Sequence, residues 1–124
     1  MPSVGFGSGI ERIILGLKEA GVEPPQTPKP EVMIVHFGGD TKVATVKMAF
    51  KLRHAGVGAM VAFAREKRSM KSQMREANKR NVSYTLIMGE SEATDETIVI
   101  RPMSGGDQMT LSQADAVEWL KAAV

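Results

Sequence analysis

Tyr84-Thr85-Leu86-Ile87-Met88-Gly89-Glu90 decides how the rest of the 124-residue chain can be arranged. It is a short apolar run rich in β-forming residues, closed by a glycine and a carboxylate, and this predicts a buried strand near the middle of a sheet. Immediately upstream, Ser69 stands where an N-cap belongs, and Met70, Met74 and Ala77 give a helix from 70 to 81 a narrow apolar side. The opposite surface of that helix is cationic.

Further back, residues 32–37 are a strand candidate, Gly38-Gly39-Asp40 turns into a helix over 41–54, and residues 59–63 supply another strand. Val43, Val46, Ala49 and Phe50 define the side of this helix expected to be buried, and Gly56 ends it. Strand, helix and strand at this spacing predict parallel strands with a crossover, and the unit repeats into the Tyr84 run. Downstream, residues 91–96 read as an acidic turn, 97–101 as an alternating strand, Gly105-Gly106-Asp107 as a tight return and 108–111 as a short last strand. Ser112 with Asp115 resembles a capping box opening a terminal helix through Lys121, packed by Ala116, Val117 and Leu120, with Gln113 towards water. The order β-α-β-α-β-β-β-α predicts an α/β fold, a mixed sheet with helices on both faces and an antiparallel strand inserted near one edge.

Towards the N-terminus, Ile10, Ile13, Ile14 and Leu17 predict a short amphipathic helix through Ala20, stopped by Gly21. Pro24, Pro25, Pro28 and Pro30 make residues 22–31 a stiff connector. The expected organisation is therefore a helical segment over 1–21, a linker over 22–31 and a folded domain over 32–124.

A hydrophobic content of 43% suits a packed core rather than disorder. Absence of cysteine excludes disulfides, thiolate metal sites and cysteine nucleophiles, and His36 and His54 are too few for a histidine-dominated metal centre. With neither an apolar run of roughly 18 residues nor a cleavable leader, the expectation is a soluble, cytoplasmic protein without a membrane. A net charge of +2 says little about partners, but its distribution says more. Side chains give about +3 over 32–64, about +5 over 65–81 and about −4 over 82–107.

The basic stretch Arg65-Glu66-Lys67-Arg68-Ser69-Met70-Lys71-Ser72-Gln73-Met74-Arg75, continued by Lys79-Arg80, can hold phosphates without reading sequence. A solvated helix face is the bland alternative. His36 reads as a packed strand residue and His54 as a helix-end residue, and serine spacing cannot establish a Ser-His-Asp set. Glu90, Glu92, Asp95 and Glu96 suit solvent, although Glu90 and Glu92 could accept hydrogen bonds from base edges. The methionines read as gap-fillers, and Tyr84 and Trp119 form no evident stacking platform with the cations. Gly5-Phe6-Gly7-Ser8-Gly9 lacks both the preceding strand and the Lys-Ser/Thr ending of a P-loop.

Val4-Gly5-Phe6-Gly7-Ser8-Gly9-Ile10-Glu11-Arg12-Ile13-Ile14-Leu15 resembles the third conserved motif of class II aminoacyl-tRNA synthetases. Arg68-Ser69-Met70-Lys71-Ser72-Gln73-Met74-Arg75-Glu76-Ala77-Asn78, then Leu86-Ile87-Met88-Gly89-Glu90 and Gly106-Asp107-Gln108, extend the likeness over almost the whole chain. Together they resemble the C-terminal part of bacterial-type histidyl-tRNA synthetases. The resemblance implies a three-layer anticodon-binding domain with a five-stranded mixed sheet from residue 32 onward, preceded by the end of a catalytic domain. In a complete family member it further implies a homodimeric ligase using ATP, Mg2+, histidine and tRNA, with Arg12 on an ATP phosphate. The first two motifs and the histidine-recognition segment are missing from these residues, so autonomous aminoacylation is not expected, nor any cofactor for the isolated domain. Under the resemblance, Arg65, Arg68, Lys71 and Arg75 would position phosphates of a histidine-tRNA anticodon loop, and Gln73, Glu90, Glu92 and Arg101 would contact bases or ribose. Residues 91–96 depart from the family pattern in lacking the glycine of the corresponding hairpin. A non-catalytic protein-interaction or regulatory module built on the same architecture is the alternative.

Overall fold

The computed structural model describes residues 1–38, 40–62 and 69–124. Its elements in chain order are α1 (Ile10–Glu19), β1 (Val32–His36), α2 (Lys42–His54), β2 (Ala59–Val61), α3 (Met70–Lys79), β3 (Tyr84–Met88), α4 (Glu90–Asp95), β4 (Thr97–Pro102), β5 (Met109–Ser112) and α5 (Gln113–Ala123). The strands form one five-stranded sheet in the order β2-β1-β3-β4-β5, which puts the Tyr84 strand at its centre. β1 pairs in parallel with β2 and β3, whereas β4 runs antiparallel to both β3 and β5. The expected mixed sheet, with its reversed strand next to one edge, is what the chain forms.

Alternation along the strands sorts the core into two halves. Val32 and Ile34 of β1, Leu86 and Met88 of β3, and Ile98 and Ile100 of β4 meet Met48, Ala49 and Leu52 of α2 and Ala116 and Leu120 of α5. Met33 and Val35 turn the other way and pack with Ala62, Ala77 and Val82, joined by Met60, Met70, Met74, Ile87 and Met103. The result is three layers, with α2 and α5 on one face and α3 on the other. Each fully buried Ile, Leu or Met side chain contributes roughly 1.5–3 kcal/mol.

The buried side of α2 differs from the expected one. Thr45, Met48, Ala49 and Leu52 are buried, while Val43, Val46 and Phe50 are 57%, 38% and 54% exposed. Apolar residues occupy two stripes of this helix, and Thr45 disguises the one that packs. Its hydroxyl donates to the Thr41 carbonyl at 2.9 Å, so a polar residue enters the core without an unmet hydrogen bond.

Residues 91–96 also depart from the expected turn, because Glu90–Asp95 form the short helix α4. Glu92 Oε2 accepts from the Gly89 N–H at 3.1 Å, and the Thr94 hydroxyl donates to the Glu90 carbonyl at 2.9 Å. The first bond satisfies an N–H at the helix start that a sequence of acids and small residues does not advertise. The chain leaves α4 through Glu96, which takes the left-handed conformation at φ 55. A glycine would be the ordinary choice there.

The remaining ends follow cap chemistry. Ser69 Oγ accepts from the Ser72 N–H and Ser112 Oγ from the Asp115 N–H, each at 3.2 Å, opening α3 and α5. Gln113 is half-buried rather than turned to water, its amide donating to the Thr97 carbonyl at 3.4 Å. α1 buries none of its residues, and residues 22–30 form no regular element.

Candidate nucleic-acid interface

Among the described residues, α2 and α5, joined by Ala93 of α4, cover one face of the sheet and α3 alone covers the other, so part of the second face is open. Thr97, Val99 and Arg101 alternate with Ile98 and Ile100 on β4, and so lie on the α3 side of the sheet. Thr110 of β5 is paired with Val99 and shares that side. α3 packs over β1, β2 and β3 through the Met33 and Val35 half of the core and stops short of these positions. Thr97 and Val99 are consequently half-buried, and Arg101 and Thr110 are exposed.

α3 forms a wall beside this floor. Met74 and Asn78 line an open cleft of about 290 Å³ together with Arg101, Pro102, Met103, Gly105 and Gly106. Lys71, Met74, Arg75 and Asn78 follow the i, i+3, i+4, i+7 spacing that places residues on one side of a helix. The flank of α3 that meets the cleft is therefore the flank that carries Lys71 and Arg75, both exposed. Arg80 sits on the opposite flank and pairs with Glu76 at 3.5 Å. Among the described residues, neither Lys71 nor Arg75 pairs with a carboxylate. Such an arrangement offers cations to phosphates along the rim and hydrogen-bonding groups to whatever reaches the floor.

The residues singled out from sequence fall into distinct places. Arg65 and Arg68 lie outside the described residues. Lys71 and Arg75 share the rim, and Arg101 lies in the cleft. Glu90 and Glu92 stand beyond the far end of β3. Arg101 is paired with Thr85, three residues and about 10 Å short of the end of β3 at Met88, beyond which Glu90 and Glu92 stand. Glu90 is exposed, whereas one oxygen of Glu92 is committed to the Gly89 backbone. Arg12 is exposed on α1.

Gln73 needs a correction, because it is not available to a base. It is 1% exposed, accepts from the His36 N–H at 3.0 Å and donates from Nε2 to the His36 carbonyl at 2.7 Å. Sequence reasoning placed it on the polar surface because of its amide, but its position between Met70 and Ala77 puts it on the inner stripe.

Two residues of interest were missed. Asn78 borders the cleft with a side chain that can both donate and accept, and its i+7 relation to Lys71 was the available signal. Phe37 is 44% exposed beside Gly89, at the Glu90 end. No periodicity marks it, since it follows the last residue of β1.

A family profile described as "Anticodon binding domain" matches residues 31–123, and the chain belongs to that family. The chain is 40% identical over 111 residues to a histidine–tRNA ligase of Clostridium perfringens, covering 90% of this chain and 26% of that protein. Likeness to the histidine–tRNA ligase of Dehalococcoides mccartyi is 38% over 110 residues, covering 89% and 26%. The crystal structure of apo S. aureus histidyl-tRNA synthetase superposes with a TM-score of 0.67 at 29% identity, covering 90% of this chain and 28% of that one. The chain thus spans about a quarter of the length of these relatives.

Proposed function

We propose that the chain binds the anticodon loop of a histidine tRNA, as the C-terminal domain of a histidine–tRNA ligase. The observation that carries this reading is the open β4–β5 floor walled by the Lys71–Arg75 flank of α3. Unpaired bases laid on the floor meet Val99 and the cleft methionines through their faces and Arg101 and Asn78 through their edges, while the rim holds the backbone. Lys71 and Arg75, with Arg65 and Arg68 on the preceding segment, position phosphates. Arg101 reads a base or ribose, and Glu90 adds a contact at the other end of β3, with the second oxygen of Glu92 beside it.

Residues 1–21 fit the end of a catalytic domain in this reading, and 22–31 its linker to the binding domain at 32–124. Arg12 would there meet an ATP phosphate. One exposed arginine does not compose a nucleotide site, and among the described residues no cluster of carboxylates or histidines could hold Mg2+. In this reading ATP and Mg2+ belong to the complete ligase, a cytoplasmic homodimer, and these 124 residues bind tRNA without charging it.

The test is binding of a histidine-tRNA anticodon stem-loop, an altered-anticodon stem-loop and an acceptor-stem duplex across a salt series. Preference for the first, weakening with salt, is expected. Equal weak binding to all three, indifferent to joint neutralisation of Lys71 and Arg75, rejects the reading. The exposed stripe of Ile10, Ile13, Ile14 and Leu17 favours a second reading, an interaction module for another protein surface. Light scattering across a concentration series separates it, since a module seeking partners self-associates and a monomeric RNA binder does not.

A further inference from the structure

The Gln73 contact with β1 has the pattern of a strand pair. Val32 donates its N–H to the Gly58 carbonyl, and Ile34 accepts from the Ala62 N–H, so the even-numbered residues of β1 face the β2 edge. Phe37 donates instead to Met88 on β3. His36 therefore aims both its N–H and its carbonyl at the place where β2 would continue. β2 ends at Val61, and the next residue meets the side chain of His36 rather than its backbone, with the Ala62 carbonyl 3.2 Å from His36 Nε2.

The side-chain amide of Gln73 fills the vacancy. It supplies one acceptor and one donor, at 3.0 and 2.7 Å, to the groups that a neighbouring strand would have bonded. Leaving these two backbone groups unmet would be costly, because a buried unsatisfied group is destabilising. The bonds also fix a height: a helix residue that pairs with one defined strand residue sets how far the helix is slid along the sheet. Met74 and Asn78 lie further along the same helix and line the same cleft as Arg101.

We infer that Gln73 is a positioning residue for RNA recognition. By mimicking a strand it locks the register of α3 against the sheet, and so sets where the Lys71–Arg75 rim and Asn78 stand relative to Arg101. This rests on the anticodon-binding reading, and it assigns Gln73 an indirect role there. A carboxylate is the informative replacement. In Gln73→Glu the ionised side chain can accept from the His36 N–H but turns a lone pair on the His36 carbonyl, whereas the protonated acid restores the donor.

The experiment measures the ratio of affinities for the matched and altered anticodon stem-loops with the wild-type chain and Gln73→Glu, at pH 8 and pH 5.5. Amide exchange at His36 is followed on the same samples. Wild type run at each pH accounts for the groups common to both proteins. At pH 8 the variant, still folded by circular dichroism, should lose about tenfold in the ratio and its His36 amide should exchange faster. Both should return towards wild type at pH 5.5. Should Gln73→Glu unfold at pH 8, Gln73→Met, which keeps the length and removes both bonds, carries the same comparison against wild type. A folded variant with a wild-type ratio at pH 8 overturns the inference. If wild type itself shows no preference between stem-loops, the anticodon reading fails, and the His36 exchange data still report separately whether the clamp exists.

Discussion

Gly89 and Glu96 show how single residues hold the acidic end of the sheet. A Cβ built on Gly89 would lie 2.6 Å from Glu92 Oε2 and 2.9 Å from Phe37 Cζ, closer than real contacts allow. Gly89→Ala should therefore displace the Glu92 cap or the half-exposed Phe37 ring, both side-chain ends free to move, and destabilise the chain by about 0.5–1 kcal/mol, read from chemical denaturation. Glu96 presents the opposite case, a side chain in a conformation that suits glycine. Glu96→Gly should raise stability by about 0.5–1 kcal/mol, despite the added freedom of the unfolded chain. An unchanged or lowered denaturation midpoint would contradict the strain argument. Arg101→Gln tests recognition at this scale. With a base edge as its target, it should cost about 1–3 kcal/mol for the matched anticodon loop and much less for an altered one.

Among the elements, α3 carries the largest share of the proposed recognition. Lys71→Gln and Arg75→Gln should each lower the salt dependence of RNA binding by about one counterion, while leaving preference among loops intact. Loss of preference with an unchanged slope would place these residues in base reading instead. α3 also shows what a sequence conceals. Its existence, its Ser69 cap and its cationic flank follow from spacing, because each depends on neighbours within a turn or two. Its Gln73 contact does not, because the vacancy that the amide fills is made by the early end of β2 and by the direction of the His36 backbone, both properties of the assembled sheet. Similarly, Thr45 enters the core through a bond to Thr41 that its polarity disguises, so Val43, Val46 and Phe50 suggested the wrong side of α2. The helix α4 was hidden for a related reason, its start being secured by Glu92 rather than by the usual small cap. β1 and β3 were plain, being apolar runs that bury both faces.

For the whole molecule, the N-terminal segment should contribute little to the folding of the sheet domain. Residues 1–29 are exposed throughout, while Glu31 is tied in: its N–H donates to the Gly58 carbonyl, its side chain accepts from the Gly58 N–H, and its own carbonyl receives Ser83 and Tyr84. A chain beginning at Pro30 should melt within a few degrees of the full one, as followed by circular dichroism, and a much lower midpoint would show that α1 braces the domain. The open floor has a different kind of consequence. Thr97, Val99 and Thr110 stand on the uncovered side of strands whose weight is carried by Ile98, Ile100 and Leu111 beneath, so the surface proposed to meet RNA and the residues that secure the scaffold are different sets. Partner choice can then be rewritten at those three positions by substitution alone, with the supporting framework left as it is.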